Sequence, residues 1–520
     1  MSFRAHDILR RNAARFPGKI AVIEQSGRRI TWRSLSDRAG RLSAALDRLG
    51  VRAGDRVSLI SPNRIECVEA FFACAALGAI HAPLNFRARP DALAAMIADA
   101  GARVLLAHAD LAEAVMALRD RAPALETVVG FGGLHAFEHD YEALIEGEHG
   151  PAPAADMDED SPCWIAYTGG TTGPSKGVVL THRNLLTNTI NLILADRIRS
   201  DDVYMITGSL FHIVLNMGLA YWFAGATVVI QDFTPDTCLD LMQSAGVTKV
   251  VPVASMLSLL VDAQARRPRD LRALVQIGLG GGAIAPDLVR AARAVFHCDF
   301  VQTFGQTEAS HHFASLSVDD YRRGLAPDAS AKERERLLSA GRPQPLCEVR
   351  IVDEADREVA PGEVGEIVTR GDNVMKGYWN RPELTAKALR GGWLHTGDLG
   401  RVDEDGYVHV VDRREHTVVS GGRPVYTLDV ERALYQHPGI LECVVMGKPA
   451  HGLGAVPRAV VVPRSGVTLR PEEMIAFCRG RLQPWQVPVE VEIRAAMPRA
   501  ATGKIDRLEL ARGREASAVH

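Results

Sequence analysis

Fourteen consecutive residues, Tyr167–Leu180, read YTGGTTGPSKGVVL: glycine, threonine and serine closed by one lysine and then by an apolar run. Small residues let backbone N–H groups approach an anion closely, hydroxyls add donors and the lysine adds charge, a combination suited to phosphate. In a P-loop, G-x-x-x-x-G-K-[ST], the lysine follows the last glycine directly. Here Ser175 precedes Lys176 and Gly177 follows it, so an ordinary P-loop nucleotide hydrolase is disfavoured. The same composition between apolar runs also makes a plain turn, and at this level both readings stay open. Covalent catalysis finds no convincing nucleophile, because the chain has no catalytic-cysteine signature.

A chain of 520 residues is long enough for about two to four folding units. Its 60 Lys+Arg and 63 Asp+Glu leave a net charge of -3 without a basic block, which excludes nucleic acid as an expected partner. Eight cysteines, at 67, 74, 163, 238, 298, 347, 443 and 478, show no C-x-x-C pair or zinc spacing and read as reduced thiols of a cytoplasmic protein. The N-terminus, MSFRAHDILRRNAARFPGK, is charged and amphipathic and lacks the apolar core of an export signal. The segments FFACAALGAIHAPL and MGLAYWFAGATVVI fall short of the about 18–20 apolar residues that span a bilayer and are expected in the core.

Helical patterns alternate with short β-branched strands, which predicts layered α/β structure. The helix WRSLSDRAGRLSAALDRLG runs into the strand RVSLIS, and GATVVIQD, VTKVVPV and LVQIGLGGG each follow a helical stretch. Beyond about residue 345 the pattern changes to Gly-punctuated strands, EVRIVD, GEIVTRG, GWLHTGDLG and DGYVHVVD, before α and β return in the last hundred residues. The charged run DRREH, Asp412–His416, is the expected boundary.

Five stretches, YTGGTTGPSKGVVL, FGQTE (304–308), GWLHTGDLG, DRREHTVVSGG and PRAATGKIDR, together resemble the signatures of the adenylate-forming enzymes: acyl-CoA synthetases, peptide-synthetase adenylation domains and luciferases. The order and spacing match, and the likeness covers nearly the whole chain. The resemblance implies an α/β fold with a large N-terminal domain (1–412), β-rich at its end, and a small mobile α+β C-terminal domain (413–520). It implies a reaction in which a carboxylate attacks the α-phosphate of ATP to give an acyl-adenylate and pyrophosphate, after which a thiol displaces AMP. ATP, Mg²⁺ and CoA are the implied cofactors and co-substrates, with a small carboxylic acid as partner and a homodimer left open.

Site residues follow from the same resemblance. Gly169, Gly170, Thr171, Thr172, Gly173 and Lys176 would wrap the β- and γ-phosphates, with Thr168 assisting at the metal. Thr307 would hydrogen-bond the α-phosphate, and Glu308 would hold Mg²⁺. Gly280, Gly281, Gly282 and Ala283 resemble the adenine-binding turn, and Phe304, where tyrosine is usual, would stack on the base ahead of Gly305. Asp398 would accept hydrogen bonds from both ribose hydroxyls with Arg413 as its cationic companion, and Lys504 would bridge the carboxylate and the α-phosphate. Glu415 takes the hinge position, and Gly421 and Gly422 begin the loop that faces the site during thioester formation.

His212 would gate the acyl pocket, lined by Leu215, Met217, Gly218, Tyr221 and Gly280, while His311 and His312 either border it or face solvent. This lining offers no ion to pair with an amino group, and an unpaired buried ammonium is costly; a fatty or aryl acid is expected instead. The sequence departs from the family pattern at Arg423 and Pro424, in place of the usual Glu-Asn, and at Ala455, where glutamate is typical. These positions bear on the thiol acceptor, for which a carrier-protein phosphopantetheine is the alternative to CoA.

Overall fold

The two apolar segments become helix–strand pairs of a buried core. The helix Ile65–Leu77 buries every residue except Ala76, and its two buried glutamates, Glu66 and Glu69, are paired to Arg28 and Arg38. Gly78 ends it in the left-handed conformation (φ 76°), and the chain enters the strand Ile80–Pro83, buried throughout. The helix Val214–Ala224 ends the same way at Gly225 (φ 80°) and leads into Thr227–Ile230. The structure, a computed structural model, describes residues 3–119, 121–152, 156–168, 175–282, 284–499 and 505–512. Among the described residues no helix is long and apolar enough to cross a membrane. All eight cysteines are free, and all but Cys347 are buried.

Contacts divide the chain into two units. The larger holds two sheets. In the first the strand order is Gly377–Tyr378, Lys176–Thr181, Pro162–Thr168, Ile80–Pro83, Arg56–Ile60, Val104–His108, Thr127–Phe131 and His139–Asp140. From Pro162–Thr168 onward the neighbours are parallel, and the two strands before it are antiparallel additions. In the second sheet Asp299–Phe304, Gln276–Leu279, Lys249–Val250, Val203–Ile206, Thr227–Ile230 and Ile20–Glu24 are neighbours in that order and parallel. Antiparallel strands close both edges. Parallel strands are covered on both faces, which is why VLLAH and TVVI read as unbroken buried runs.

The second unit takes in Arg350–Val368 and the chain from His395 onward, so it begins with the Gly-punctuated strands, and the expected boundary at Asp412 falls inside it. One sheet has the order Glu348–Val352, Gly365–Arg370, Leu394–Val402, Val408–Arg413. The C-terminal sheet has the order Arg423–Val425, Val418–Ser420, Gly454–Pro463, Ile440–Ala450, with Glu490–Ile493 parallel to Gly454–Pro463. Its own apolar core includes Val425, Val430, Leu434, Val445, Val461 and Met474.

Candidate active site

Three of the expected site segments leave the carboxyl ends of parallel strands of the second large sheet. Gly280–Gly282 follows Gln276–Leu279, Phe304–Glu308 ends and follows Asp299–Phe304, and His212 follows Val203–Ile206. Open parallel sheets present ligands at this edge. Gly281 adopts φ 78°, a left-handed turn open to glycine at no steric cost. Gly280 lies against Thr303, whose Oγ1 would be 3.3 Å from an added Cβ.

The turn after Phe304 is folded tightly back on itself. A Cβ on Gly305 would overlap the His312 Cα and the His311 carbonyl oxygen, both backbone atoms that cannot swing aside. Thr307–Ala309 form one 3₁₀ turn, and Ser310 (φ 57°) and His311 (φ 122°) follow with positive φ. Neighbours hold this strained path. Asn216 Nδ2 donates to Ser310 O (2.5 Å), Ser310 Oγ donates to Asn373 O (2.7 Å), and Asn373 Nδ2 donates to Ala309 O (3.1 Å) and His312 O (3.2 Å). Gly305→Ala is therefore expected to cost about 1–3 kcal/mol of stability, the usual range for overpacking, and to lose adenylation with it. A denaturant midpoint and pyrophosphate exchange check both effects.

Glu308 is tied at both ends. Its carbonyl accepts from Met375 N (2.8 Å), and its Oε1 accepts from the Tyr378 hydroxyl (2.8 Å). No described residue donates to its Oε2. Thr307 is buried beside it. Phe304 is half-buried with its ring edge-on to Phe313 at 5.2 Å. His312 is fully buried and His311 is half-buried, so of the two alternatives a solvent-facing pair is not what forms. Burial pushes the His311 imidazole down to about 4 and His312 well below its ordinary value. Both are neutral near pH 7, and their Nδ1 atoms lie 3.1 Å apart, so one donates and the other accepts.

The strands Pro162–Thr168 and Lys176–Thr181 pair antiparallel, with Thr168 opposite Lys176; their paired ends bracket 169–174. Gly169, Gly170, Thr171, Thr172, Gly173, Ala283 and Lys504 lie outside the described residues. Tyr167, just before this stretch, is buried and its hydroxyl donates to Met96 O and Asp99 Oδ2, each at 3.1 Å. Thr168 Oγ1 donates across the pair to Lys176 O at 3.4 Å. Lys176 is exposed, its Nζ 5.4 Å from the Tyr378 ring centroid.

His212 is half-buried in a bend before the helix Val214–Ala224, edge-on to Phe211 at 6.4 Å; it does not cap that helix. Arg87 joins this corner, its guanidinium donating to Ser209 Oγ (3.0 Å). No motif marks Arg87 in the sequence; it follows the end of Ile80–Pro83, a strand of the first sheet. On the helix, Leu215, Met217, Gly218 and Tyr221 are all buried. Met217 Sδ lies 3.9 Å from the Tyr204 hydroxyl, and Tyr221 stacks on Tyr204 at 3.9 Å, so this face packs on the strand Val203–Ile206.

In the second unit Asp398 and Arg413 are cross-strand partners, and Arg413 Nε donates to Asp398 Oδ1 at 2.9 Å. Asp398 is 6% exposed whereas the Arg413 side chain is 44% exposed, so a buried carboxylate carries an open cation. Asp412 is buried, which raises the affinity of its carboxyl for a proton. It accepts from Arg413 N (2.7 Å) and from Thr427 N (2.5 Å), fixing the start of the helix Thr427–Tyr435. Glu415 is exposed in the turn between Val408–Arg413 and Val418–Ser420. Gly421 (φ 56°) and Gly422 (φ 76°) form the two-residue loop of the hairpin Val418–Val425, the left-handed pair such a turn requires. Arg423 stacks over Trp485 at 4.5 Å. Pro424 sits on the edge strand of its sheet, where a missing N–H is tolerated.

The family profile described as AMP-binding enzyme matches residues 9–379, and that of the AMP-binding enzyme C-terminal domain matches 429–504. The chain belongs to the AMP-binding enzymes. A feruloyl-CoA synthase from an Amycolatopsis species is 36% identical over 507 residues, covering 96% of this chain and 97% of the relative. An indoleacetate–CoA ligase of Aromatoleum aromaticum is 33% identical, covering 95% of each. The crystal structure of the anthranilate CoA ligase AuaEII in complex with anthranoyl-AMP superposes with a TM-score of 0.90 at 26% identity, covering 100% of this chain and 98% of that one. This AMP-binding enzyme is an AMP-forming acid–thiol ligase that uses ATP and CoA, on the fold of the adenylate-forming enzymes.

Proposed function

We propose that the acid activated by this ligase is an aryl carboxylic acid. Its carboxylate attacks the α-phosphorus of ATP, the bond to the bridging oxygen of pyrophosphate breaks, and an aryl-adenylate forms. The CoA sulfur then attacks the mixed-anhydride carbonyl, and AMP leaves. The observation that carries the reading is the convergence of Gly280–Gly282, Phe304–Glu308 and His212 at one edge of a parallel sheet, in a chain whose near full-length relatives include ones named for feruloyl, indoleacetate and anthranilate substrates.

In this reading Phe304 and the glycine turn take the base, Thr307 the α-phosphate, and residues 168–173 with Lys176 the leaving pyrophosphate. Asp398 and Arg413 take the ribose, Lys504 bridges carboxylate and phosphate, and His212 borders the carboxylate. A hard dication prefers carboxylate and phosphate oxygens, and Glu308, held by one oxygen with Oε2 taking no hydrogen bond from a described residue, suits it. Mg²⁺ bound there would neutralise charge on the phosphates. The C-terminal part from residue 413, hinged at Glu415, brings Lys504 for the first half-reaction and Gly421–Gly422 for the second, as lids in multi-step enzymes do. Cytoplasmic ATP and CoA pools would supply it.

A panel of aryl acids and size-matched fatty acids, scored by kcat/KM for AMP release with CoA, tests the substrate class. An aryl preference of about tenfold or more is expected, the discrimination that pocket contacts supply; a preference for the fatty acids would overturn it.

A further inference from the structure

The segment Met375–Arg381, MKGYWNR, belongs to none of the signatures that point to nucleotide chemistry, yet it touches the elements on both sides of the phosphate-binding stretch. Gly377–Tyr378 forms a two-residue strand that pairs antiparallel with Lys176–Thr181, Tyr378 opposite Val178. The residues after it grip one aspartate. Trp379 Nε1 (2.9 Å) and Asn380 Nδ2 (3.2 Å) donate to Asp99 O, and Arg381 donates to Asp99 Oδ1 (2.8 Å). The same carboxylate accepts from Tyr167 through Oδ2. Tyr378 is thereby fixed between two charges of opposite sign: its hydroxyl donates to Glu308 Oε1 at 2.8 Å, and its ring carries the Lys176 ammonium at 5.4 Å. Among the described residues Lys176 and Glu308 make no ion pair with each other.

We propose that Tyr378 is a positioning residue for adenylation. Its hydroxyl fixes the rotamer of Glu308 and selects which carboxylate oxygen is presented, and its ring holds Lys176 apart from that carboxylate. Both charges then stay available to a triphosphate and its counter-ion instead of neutralising each other. Partners of this kind, one step behind a metal-binding carboxylate, set how well the ligand is aimed. The inference rests on the reading of Glu308 as the carboxylate that holds the divalent cation.

The test uses the full-length chain and Mn²⁺ as an electron paramagnetic resonance probe, titrated in the presence of the non-hydrolysable adenosine 5′-(α,β-methylene)triphosphate. Tyr378→Phe keeps the ring over Lys176 and removes only the hydroxyl. It is expected to weaken Mn²⁺ binding roughly tenfold or more and to raise the Mg²⁺ concentration for half-maximal pyrophosphate exchange by a similar factor. Affinity for the analogue at saturating metal and the metal-free melting midpoint should stay at the parent values, which a loss of folding would not allow. Glu308→Gln and the double variant are measured beside it, and the double variant should lose no more than Glu308→Gln alone. If Glu308→Gln binds Mn²⁺ as the parent does, the reading of Glu308 fails. Should Glu308→Gln lose the metal while Tyr378→Phe keeps it, or should the two losses add, the role of Tyr378 alone is overturned.

Discussion

Lys504→Ala is expected to abolish acid-dependent pyrophosphate exchange, with a rate loss of at least about 10²–10³, while ATP still binds. The first half-reaction brings an anionic carboxylate against a triphosphate that is already strongly negative, and a cation between the two stabilises the transition state more than either reactant alone. Lys504 is the lysine of the TGKID signature. In the proposed reading the purine and pyrophosphate groups are taken by other residues, so equilibrium dialysis with ATP should change by only a few-fold. Thioester formation from chemically synthesised aryl-adenylate and CoA should survive, because that step does not need the bridge. If the variant loses exchange and thioester formation equally, Lys504 serves folding or nucleotide binding and not the first step.

Glu308→Gln carries the second large effect, a loss of about a hundredfold in pyrophosphate exchange. The substitution preserves shape, and the Tyr378 hydroxyl can still donate to the amide oxygen, so the 3₁₀ turn Thr307–Ala309 keeps its Met375 and Asn373 contacts. What disappears is the negative charge. A Mg²⁺ titration of the exchange rate separates the causes: a curve displaced to higher Mg²⁺ marks the loss of a cation ligand, and an unchanged curve with a lower plateau rules that role out.

The α/β layering was legible because buried parallel strands leave unbroken apolar runs, such as VLLAH and TVVI, between helices. Strand pairing was not, since nothing local states that Ile20–Glu24 lies beside Thr227–Ile230. At the site, motif residues could be read by type and spacing, and Gly305 and Gly421–Gly422 turn out to sit where a side chain meets backbone or a positive φ is needed. Tyr378 could not be read, because a two-residue strand has no periodicity and its reach to Glu308 exists only once the fold brings the two together. Arg423 and Pro424 look in sequence like a charge reversal and a lost donor. In the structure one stacks on Trp485 and the other occupies a sheet edge, so both are accommodated locally.

The central claim is that an aryl-adenylate forms first and CoA then takes the acyl group. The direct measurement is a chase: enzyme, ATP, Mg²⁺ and an aryl acid are mixed without CoA, the bound adenylate is quantified after quenching, and CoA is then added to a parallel sample. The account predicts an adenylate at up to one per active site that converts to aryl-CoA with one AMP released for each thioester. An adenylate that persists in CoA but is discharged by a phosphopantetheinylated carrier protein, or the absence of any adenylate, would contradict it.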